Sequence, residues 1–150
     1  MTNTIKELQK KIKIKFKNVS NLKKAITHKS YDPINNYEKL EFLGDRILGL
    51  IISIKLLETY PEDTEGALDK KLASLVNKNR CQEIGKILNL DKYIFIGNKK
   101  NNSKIESKII SDCVEALIGA VYYEKGFNVT EKFILNIWKN LINKSNVTFV

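Results

Sequence analysis

The hydrophobic positions of this chain recur mostly at spacings of three and four residues, which is the pattern of amphipathic helices. A first helix is predicted by Ile5, Leu8 and Ile12, which fall on one side of a helical turn pattern. A short second helix is predicted to follow, with Ser20 as its N-cap. The beginning of the chain therefore predicts two helices of unequal length.

Most of the remaining chain also has helical periodicity. Helices are predicted over the segments 37–57, 65–76, 79–88 and 105–124. Thr64 is the predicted N-cap of the second of these segments, and Thr130 that of a final helix. The apolar side of that last helix comprises Phe133, Ile134, Ile137, Trp138 and Leu141. Together these segments predict an all-α domain.

One segment, KYIFIG at 92–97, alternates like a β-strand. A lone strand has no partner for its backbone N–H and C=O groups. We therefore interpret the segment as an irregular connection within a helical domain.

Length and composition narrow the class of protein. The chain has 150 residues, which suits one domain. The longest apolar run, 47–54, is well short of the roughly 18 residues that a bilayer crossing needs, and the N-terminus lacks an apolar signal-peptide core. Cys81 and Cys113 show no metal-ligand spacing, so we expect reduced thiols in a helical core. A cytoplasmic protein without membrane association is the expectation.

The formal net charge of +9 favours a polyanionic partner, such as a nucleic acid or an anionic membrane. Nearly all of the positive charge is lysine, since Arg46 and Arg80 are the only arginines, and asparagine and isoleucine are also abundant. A genome rich in A and T would produce the same bias without selection for binding. Charge alone therefore leaves both explanations open.

Two of the most apolar helices carry acids that packing does not require. At about 100° per residue, Glu38, Glu41 and Asp45 fall within about 60° of one face of their helix. Like charges at this spacing cost an isolated helix about 0.2–0.5 kcal/mol per pair. Asp112 and Glu115 are one turn apart among apolar residues of a second helix. The acids either face water at the helix edges or converge where the two helices pack together.

Convergence of Glu41, Asp45, Asp112 and Glu115 would require protons or cations, because four buried carboxylates cannot all stay ionised unaided. Oxygen ligands favour hard cations such as Mg²⁺, and two divalent ions about 3.5–4 Å apart suit in-line phosphoryl displacement. No cysteine joins the acids, and the single histidine, His28, is distant in sequence, which argues against zinc. A basic chain with an acidic, metal-binding cleft has the general form of a metal-dependent nuclease.

Four blocks of the sequence resemble one family, and they occur in the same order as in that family. YEKLEFLGDRIL resembles the signature helix of bacterial ribonuclease III, the double-stranded-RNA endonuclease, and SDCVEALIGAVYYEKG is similar to its second acidic helix. LKKAITHKSY and EGALDKKLASLVN match two further blocks, so the resemblance covers most of residues 5–142. It implies an all-α endonuclease domain that forms a homodimer and cuts duplex RNA with Mg²⁺, for which Mn²⁺ can substitute. It further implies products with 5′-phosphates and short 3′ overhangs, and processing of ribosomal RNA precursors and other structured transcripts.

The resemblance also implies residue roles in a metal site. Glu41, Asp112 and Glu115 match the metal-binding acids of the family. Asp45 and Glu115 match its catalytic acids, with Asp45 either ligating through water or ordering the cluster. His28 is expected to be a hydrogen-bonded structural residue, because the metals already activate water.

Further matches concern the cleft and the dimer. Glu38 and Glu65 match additional acids that line the same cleft, although Glu65 by itself would be interpreted as an acid favoured at a helix N-terminus. Phe42 matches an aromatic residue that packs into the partner subunit, and Gly44 fits a close approach of helices at that interface. The predicted phosphate contacts are lysines, namely Lys70, Lys71, Lys99 and Lys100.

Two features depart from the family pattern. Arg46 stands where the family usually has a small residue, so it either crowds the interface or reaches a carboxylate or phosphate. Full-length members continue into a double-stranded-RNA-binding domain, which nothing in 1–150 resembles, so an excised nuclease domain is favoured over a natural minimal form. One rival is a catalytically inactive RNA-binding scaffold of the same fold, and a second is a helical protein whose acids only solubilise its surface.

Overall fold

The computed structural model describes residues 2–97 and 104–148, with side chains at 3–97 and 104–143. Its described residues contain no named β-strand, which confirms the all-α prediction. The helices are α1 (Thr2–Ile12), α2 (Ser20–Ala25), α3 (Glu38–Thr59), α4 (Glu65–Val76), α5 (Lys78–Ile87), α6 (Ser107–Lys125), α7 (Phe127–Ile137) and α8 (Lys139–Thr148).

The N-terminal caps of these helices follow the sequence signals in part. The Thr64 hydroxyl accepts a hydrogen bond from the Ala67 N–H at 3.2 Å, which confirms its predicted role at α4. The prediction that Ser20 caps α2 is wrong, because Ser20 is already helical. Its N–H donates to Asn18 Oδ1 at 3.0 Å, so an asparagine side chain two residues earlier satisfies this end of the helix.

The predicted cap at Thr130 is also wrong. Gly126, at φ 81°, ends α6 and leads directly into α7, so Thr130 lies inside that helix. Its buried hydroxyl donates to the Gly126 carbonyl oxygen at 2.7 Å. The helical segment then breaks at Trp138, whose buried indole N–H donates to the Leu75 carbonyl at 2.7 Å. A glycine at positive φ thus starts α7 one turn earlier than the hydroxyl signal suggests.

The strand-like segment is an irregular connection, as predicted. A single turn of 3₁₀-helix covers Leu90–Lys92, and Phe95 then forms one isolated parallel bridge with Thr27. The Phe95 N–H donates to the Ile26 carbonyl at 2.8 Å, and the His28 N–H donates to the Phe95 carbonyl at 2.9 Å. The backbone groups are therefore satisfied by the loop after α2, without a sheet.

The core is built around α6, which contacts α2, α3, α5 and α7. All of its residues from 110 to 121 are buried, so polar side chains within that stretch are buried with it. This position follows from the sequence, because a helix that is hydrophobic on every side has to be enclosed.

The two cysteines lie in this core. Cys81 and Cys113 are buried and are not disulfide-bonded. Burial raises the pKa of the Cys81 thiol to about 12 and that of the Cys113 thiol well above its usual value. Both groups therefore stay protonated, as expected for core thiols. No helix in the described part of the chain combines the length and hydrophobicity needed to cross a bilayer.

Candidate metal centre

Three carboxylates converge where α3 packs against α6. One oxygen from each of Glu41, Asp112 and Glu115 lies within 4.8 Å of the others, and we call these residues the carboxylate trio. The side chains of Asp112 and Glu115 are only 3% and 2% exposed, whereas that of Glu41 is 29% exposed. The alternative in which these acids only solubilise the surface is therefore wrong for Asp112 and Glu115.

Two glycines let α3 and α6 approach closely enough to form the trio. A Cβ atom on Gly119 would lie 2.5 Å from the Leu40 carbonyl oxygen, and one on Gly44 would lie 3.1 Å from the Gly119 nitrogen. Larger residues at these positions would push the helices apart. The close approach expected at Gly44 thus exists inside the subunit, where Gly44 is buried, and not at a surface open to a second copy.

Lys78 places an ammonium group among the three carboxylates. Its Nζ donates to Asp112 Oδ1 at 2.8 Å and to Glu115 Oε1 at 2.6 Å, and lies 3.4 Å from Glu41 Oε1. Lys78 is the first residue of α5, whose N-cap Asn77 accepts a hydrogen bond from the backbone N–H three residues later. Sequence reasoning missed Lys78, since it is at least 34 residues from each acid and no spacing rule connects them.

Asp112 has two further partners on its other oxygen. Lys108 Nζ donates to Asp112 Oδ2 at 2.7 Å, and the buried Tyr37 hydroxyl donates to the same atom at 3.5 Å. Burial alone would raise the pKa of Asp112, but the ammonium groups of Lys108 and Lys78 outweigh it and hold this pKa below its usual value. Lys108 precedes Asp112 by four residues, and this i,i+4 spacing on a helix predicts an ion pair from the sequence alone.

The pKa of Glu115 is shifted upward, in the opposite direction to that of Asp112. Burial raises its pKa to about 8, and the nearby Asp45 carboxyl acts in the same direction, while Lys78 opposes both. Because the pKa of Asp112 is lowered and that of Glu115 is raised, the site contains two unlike carboxyl groups one turn apart. Perturbed acids of this kind are typical of functional sites.

Asp45 lies at the edge of the site and not within the trio. Its side chain is 55% exposed and forms an ion pair with Arg46 at 3.4 Å. The Arg46 guanidinium also stacks on the Phe42 ring at 3.8 Å from its centroid. Of the alternatives for Arg46, contact with a carboxylate is the one observed in the subunit. The catalytic role of Asp45 stays a prediction.

An open cleft of about 320 Å³ reaches two members of the trio, Glu41 and Asp112. It is lined by His28, Lys29, Tyr37, Glu38, Glu41, Glu106, Lys108, Ile109 and Asp112. Glu38 therefore lies in the cleft beside the trio. Glu65 instead lines a separate apolar groove of about 220 Å³ with Leu57 and Leu68, so its role as a cleft acid stays a prediction.

His28 borders the same cleft with its ring held from one side. Its Nδ1 accepts a hydrogen bond from the Ser30 N–H at 3.2 Å and lies 2.7 Å from the Ser30 hydroxyl. Ser30 Oγ in turn accepts from the Gly97 N–H at 3.1 Å. These bonds connect the loop after α2 to the irregular connection, which agrees with the structural role expected for His28.

The four lysines expected to contact phosphate differ in their surroundings. Lys70 is exposed, but Lys71 is buried, forms an ion pair with Asp63 and stands 3.4 Å from the centre of the Tyr60 ring. The expectation that Lys71 contacts RNA is therefore wrong. Lys99 and Lys100 lie outside the described residues.

The trio fits a hard divalent cation. Its donors are carboxylate oxygens alone, which suit Mg²⁺ or Mn²⁺ better than zinc. The opening to the cleft would leave part of such a cation accessible to water and to a phosphate oxygen.

Comparison with known proteins agrees with this geometry. A sequence model of the family described as ribonuclease-III-like matches residues 18–141. The chain is 59% identical over 148 residues to Ribonuclease 3 of Pelagibacter ubique, covering 98% of this chain and 66% of the relative. It is 40% identical over 147 residues to Ribonuclease 3 of Clostridium tetani, covering 94% of this chain and 63% of the relative. The chain thus spans slightly less than two thirds of these curated relatives.

A solved structure supports the same relationship. The chain resembles the nuclease domain of ribonuclease III from Campylobacter jejuni with a TM-score of 0.86 and 36% sequence identity. The match covers 91% of this chain and 96% of that domain, whose description refers to a region involved in dimer formation. The similarity therefore extends over nearly the whole of a nuclease domain.

Proposed function

Because this chain belongs to the ribonuclease-III-like family, we propose that it is an endonuclease that hydrolyses phosphodiester bonds in double-stranded RNA with a divalent metal ion. The observation that carries the proposal is the convergence of Glu41, Asp112 and Glu115, of which Glu41 and Asp112 line an open cleft. Mg²⁺ is the proposed ion, and Mn²⁺ can replace it because it accepts the same oxygen donors.

The residues at the site have different proposed roles. Glu41, Asp112 and Glu115 would hold the ion, which would supply a water molecule of lowered pKa and offset charge on the phosphoryl oxygens. Tyr37 and Lys108 orient the Asp112 carboxylate through hydrogen bonds to its Oδ2. Burial of Asp112 and Glu115 on α6 fixes their rotamers, and such preorganisation favours catalysis.

Asp45 is proposed to act beside the trio and not in it. Its carboxyl is close enough to Glu115 to raise the pKa of that residue, yet most of its own side chain is accessible. It can therefore orient a water molecule at the edge of the site. Glu38 is proposed as a further acid of the cleft, and the same role for Glu65 stays a prediction, since Glu65 lines a separate groove of the subunit.

We propose that two copies of the chain form the active enzyme. Phe42 is 59% exposed on α3, next to Asp45, and an aromatic side chain of this kind is a typical interface anchor. The nuclease domain of Campylobacter jejuni ribonuclease III contains a region involved in dimer formation. A two-fold dimer would present two equivalent sites to one duplex, one for each strand.

The substrate is proposed to be recognised mainly by shape. Proteins recognise A-form duplexes through phosphates and 2′-hydroxyls across the minor groove, and a net charge of +9 favours phosphate contacts. In this proposal residues 1–150 act as one endonuclease domain and release products with 5′-phosphates and short 3′ overhangs. Cytoplasmic ribosomal RNA precursors and other structured transcripts are the proposed substrates.

A cleavage assay tests the proposal. Long duplex RNA, single-stranded RNA and duplex DNA of the same sequence are incubated with the chain in Mg²⁺ or in EDTA, and the products are end-labelled. Cleavage of duplex RNA alone, dependent on Mg²⁺ and abolished by Glu115→Gln, supports the proposal. The exposed Glu58→Gln on α3 is the control that loses the same charge outside the cleft.

Two results would contradict it in different ways. Equal cleavage of duplex DNA would exclude recognition of A-form geometry and the 2′-hydroxyl. Binding of duplex RNA without cleavage at any Mg²⁺ or Mn²⁺ concentration would instead support an inactive RNA-binding scaffold.

A further inference from the structure

We propose that Lys78 is an internal cation that occupies the metal position in the metal-free protein and has to be displaced when a divalent ion binds. The inference rests on the proposed function, since it assumes that the carboxylate trio holds metal. It goes further, because it assigns to a lysine the control of metal affinity at that site.

The distances show why a lysine and a metal compete. Lys78 Nζ lies 2.6, 2.8 and 3.4 Å from oxygens of Glu115, Asp112 and Glu41, the same three residues whose oxygens cluster within 4.8 Å. Mg²⁺ binds oxygen at about 2.0–2.1 Å. An ion held by these oxygens would therefore stand in contact with the ammonium group, where both steric overlap and like-charge repulsion oppose it.

Lys78 is able to leave without any change of fold. Its backbone is fixed as the first residue of α5, but its side chain is 56% exposed, while those of Asp112 and Glu115 are 3% and 2% exposed. A lysine has four flexible methylene groups, so rotamer changes alone carry Nζ from the trio to solvent. A flexible, half-exposed cation thus contacts two carboxyl groups that are themselves buried and fixed.

The second lysine at the site does not occupy the same position. Lys108 Nζ contacts Asp112 Oδ2 and its side chain is 75% exposed, whereas Lys78 uses Oδ1 and bridges to Glu115 and Glu41. The two lysines therefore carry the same charge, but only Lys78 lies between the three carboxylates. Lys108 can stay on the outer oxygen of Asp112 while metal binds, but Lys78 cannot stay between the three carboxylates.

Lys78 should therefore stabilise the chain without metal and weaken its affinity for metal. Charge-assisted hydrogen bonds from Lys78 satisfy the buried carboxyl groups when no metal is present. The same bonds have to be broken before the metal binds, which weakens binding. Lys78 keeps the site assembled in the metal-free chain and raises the metal concentration at which it fills.

Lys78→Met and Lys108→Met form a matched pair for the test. Calorimetric titration of each full chain with Mn²⁺ and with Mg²⁺, without RNA and over a pH series, gives the dissociation constant, which is compared where it no longer changes with pH. Lys78→Met should tighten binding by about tenfold or more, which corresponds to about 1.4 kcal/mol. Lys108→Met should change binding less, because its ammonium does not occupy the metal position.

The outcomes separate this inference from the proposed function. Equal tightening in both variants would mean that only total charge matters, and unchanged or weaker binding in Lys78→Met would also overturn the inference. If the parent chain itself bound neither ion, the proposed metal-dependent function would fail with it.

A second measurement uses the unaltered chain and so does not depend on how a variant folds. Reductive methylation followed by mass spectrometry reports the reactivity of each lysine amine. Saturating Mg²⁺ should increase the labelling rate of Lys78 several-fold and leave that of the exposed Lys70 unchanged. Metal binding with no change at Lys78 would overturn the inference.

Discussion

The backbone of Gly44 on α3 lies so close to that of Glu115 on α6 that a Cβ atom at Gly44 would overlap the Glu115 carbonyl oxygen. Glu41 precedes Gly44 by one turn on α3, so the closest crossing of the two helices is also where their acids meet. The distance between the two helices therefore sets the distance between the Glu41 carboxylate and those on α6.

Gly44→Ala should lower both stability and metal affinity. Overpacking costs about 1–3 kcal/mol, and the atom that has to move here is backbone, so we expect the upper end of that range. Separation of α3 from α6 should also weaken Mn²⁺ binding measured by calorimetry. Gly49→Ala on the same helix is the control, since nothing lies within 4 Å of its added Cβ. It should stabilise the chain by about 0.5–1 kcal/mol. Equal melting points for the two variants would contradict the role given to Gly44.

Glu115→Gln should abolish metal-dependent cleavage without unfolding the chain. Loss of even an outer-shell partner of a metal ligand costs about 10–100-fold, so loss of a ligand should exceed about 100-fold. Circular dichroism and sedimentation check that the fold and the assembly are retained. Activity within a few-fold of the parent would exclude Glu115 from the chemistry.

The same residue predicts a pH dependence of stability in EDTA. The pKa of Glu115 is raised from its usual 4.5 to about 8 in the folded chain. The folded state therefore binds more protons than the unfolded state between these values, and the contribution of Glu115 to stability is complete below the lower one and lost as pH rises through the higher. The melting temperature of the parent should fall relative to Glu115→Gln from about pH 5 to about pH 8.5. A constant difference between the two melting curves across that range would contradict the raised pKa.

Phe42→Ala should weaken self-association more than it weakens the fold. The ring is mostly exposed in the subunit, so its removal deletes little core packing, but an aromatic anchor buried in a dimer contributes about 2 kcal/mol or more. Sedimentation at several concentrations measures the dimer, and thermal melting measures the fold. Ile87→Ala on α5 is the control, since Ile87 is similarly exposed at 54%. A strongly lowered melting point with an unchanged dimer would identify Phe42 as a core residue instead.

Lys71→Ala and Lys70→Ala should differ although the two lysines are adjacent. Loss of the buried Lys71 leaves Asp63 without the ion pair, which should cost roughly 1–3 kcal/mol. The exposed Lys70 should change stability by less than about 0.5 kcal/mol. Thermal melting compares them, and a salt series of duplex-RNA binding should show a loss of affinity only for Lys70→Ala. Equal melting points would contradict the structural role of Lys71.

Local patterns along the chain were enough to predict the long helices and the family. Hydrophobic periodicity is a local property, so it placed the long helices, and the cap at Thr64 was confirmed because its hydrogen bond spans only three residues. The caps assigned to Ser20 and Thr130 were wrong, since neighbouring residues, Asn18 and Gly126, control those helix starts. Acids on apolar helices also indicated a site, because burial of a charge without a partner is too costly to occur without cause.

The ionic partners of the site residues could be found only from the way the helices pack. Lys78 reaches the trio from a helix that no spacing rule links to α3 or α6, Asp45 pairs with Arg46 while it still acts on Glu115, and Lys71 turns inward to Asp63. A sequence pattern states which face of a helix a residue occupies, but not which other helix covers that face. The ionic partners of these residues depend on how the helices cross, and that crossing is set by backbone contacts such as the one between Gly44 and Glu115.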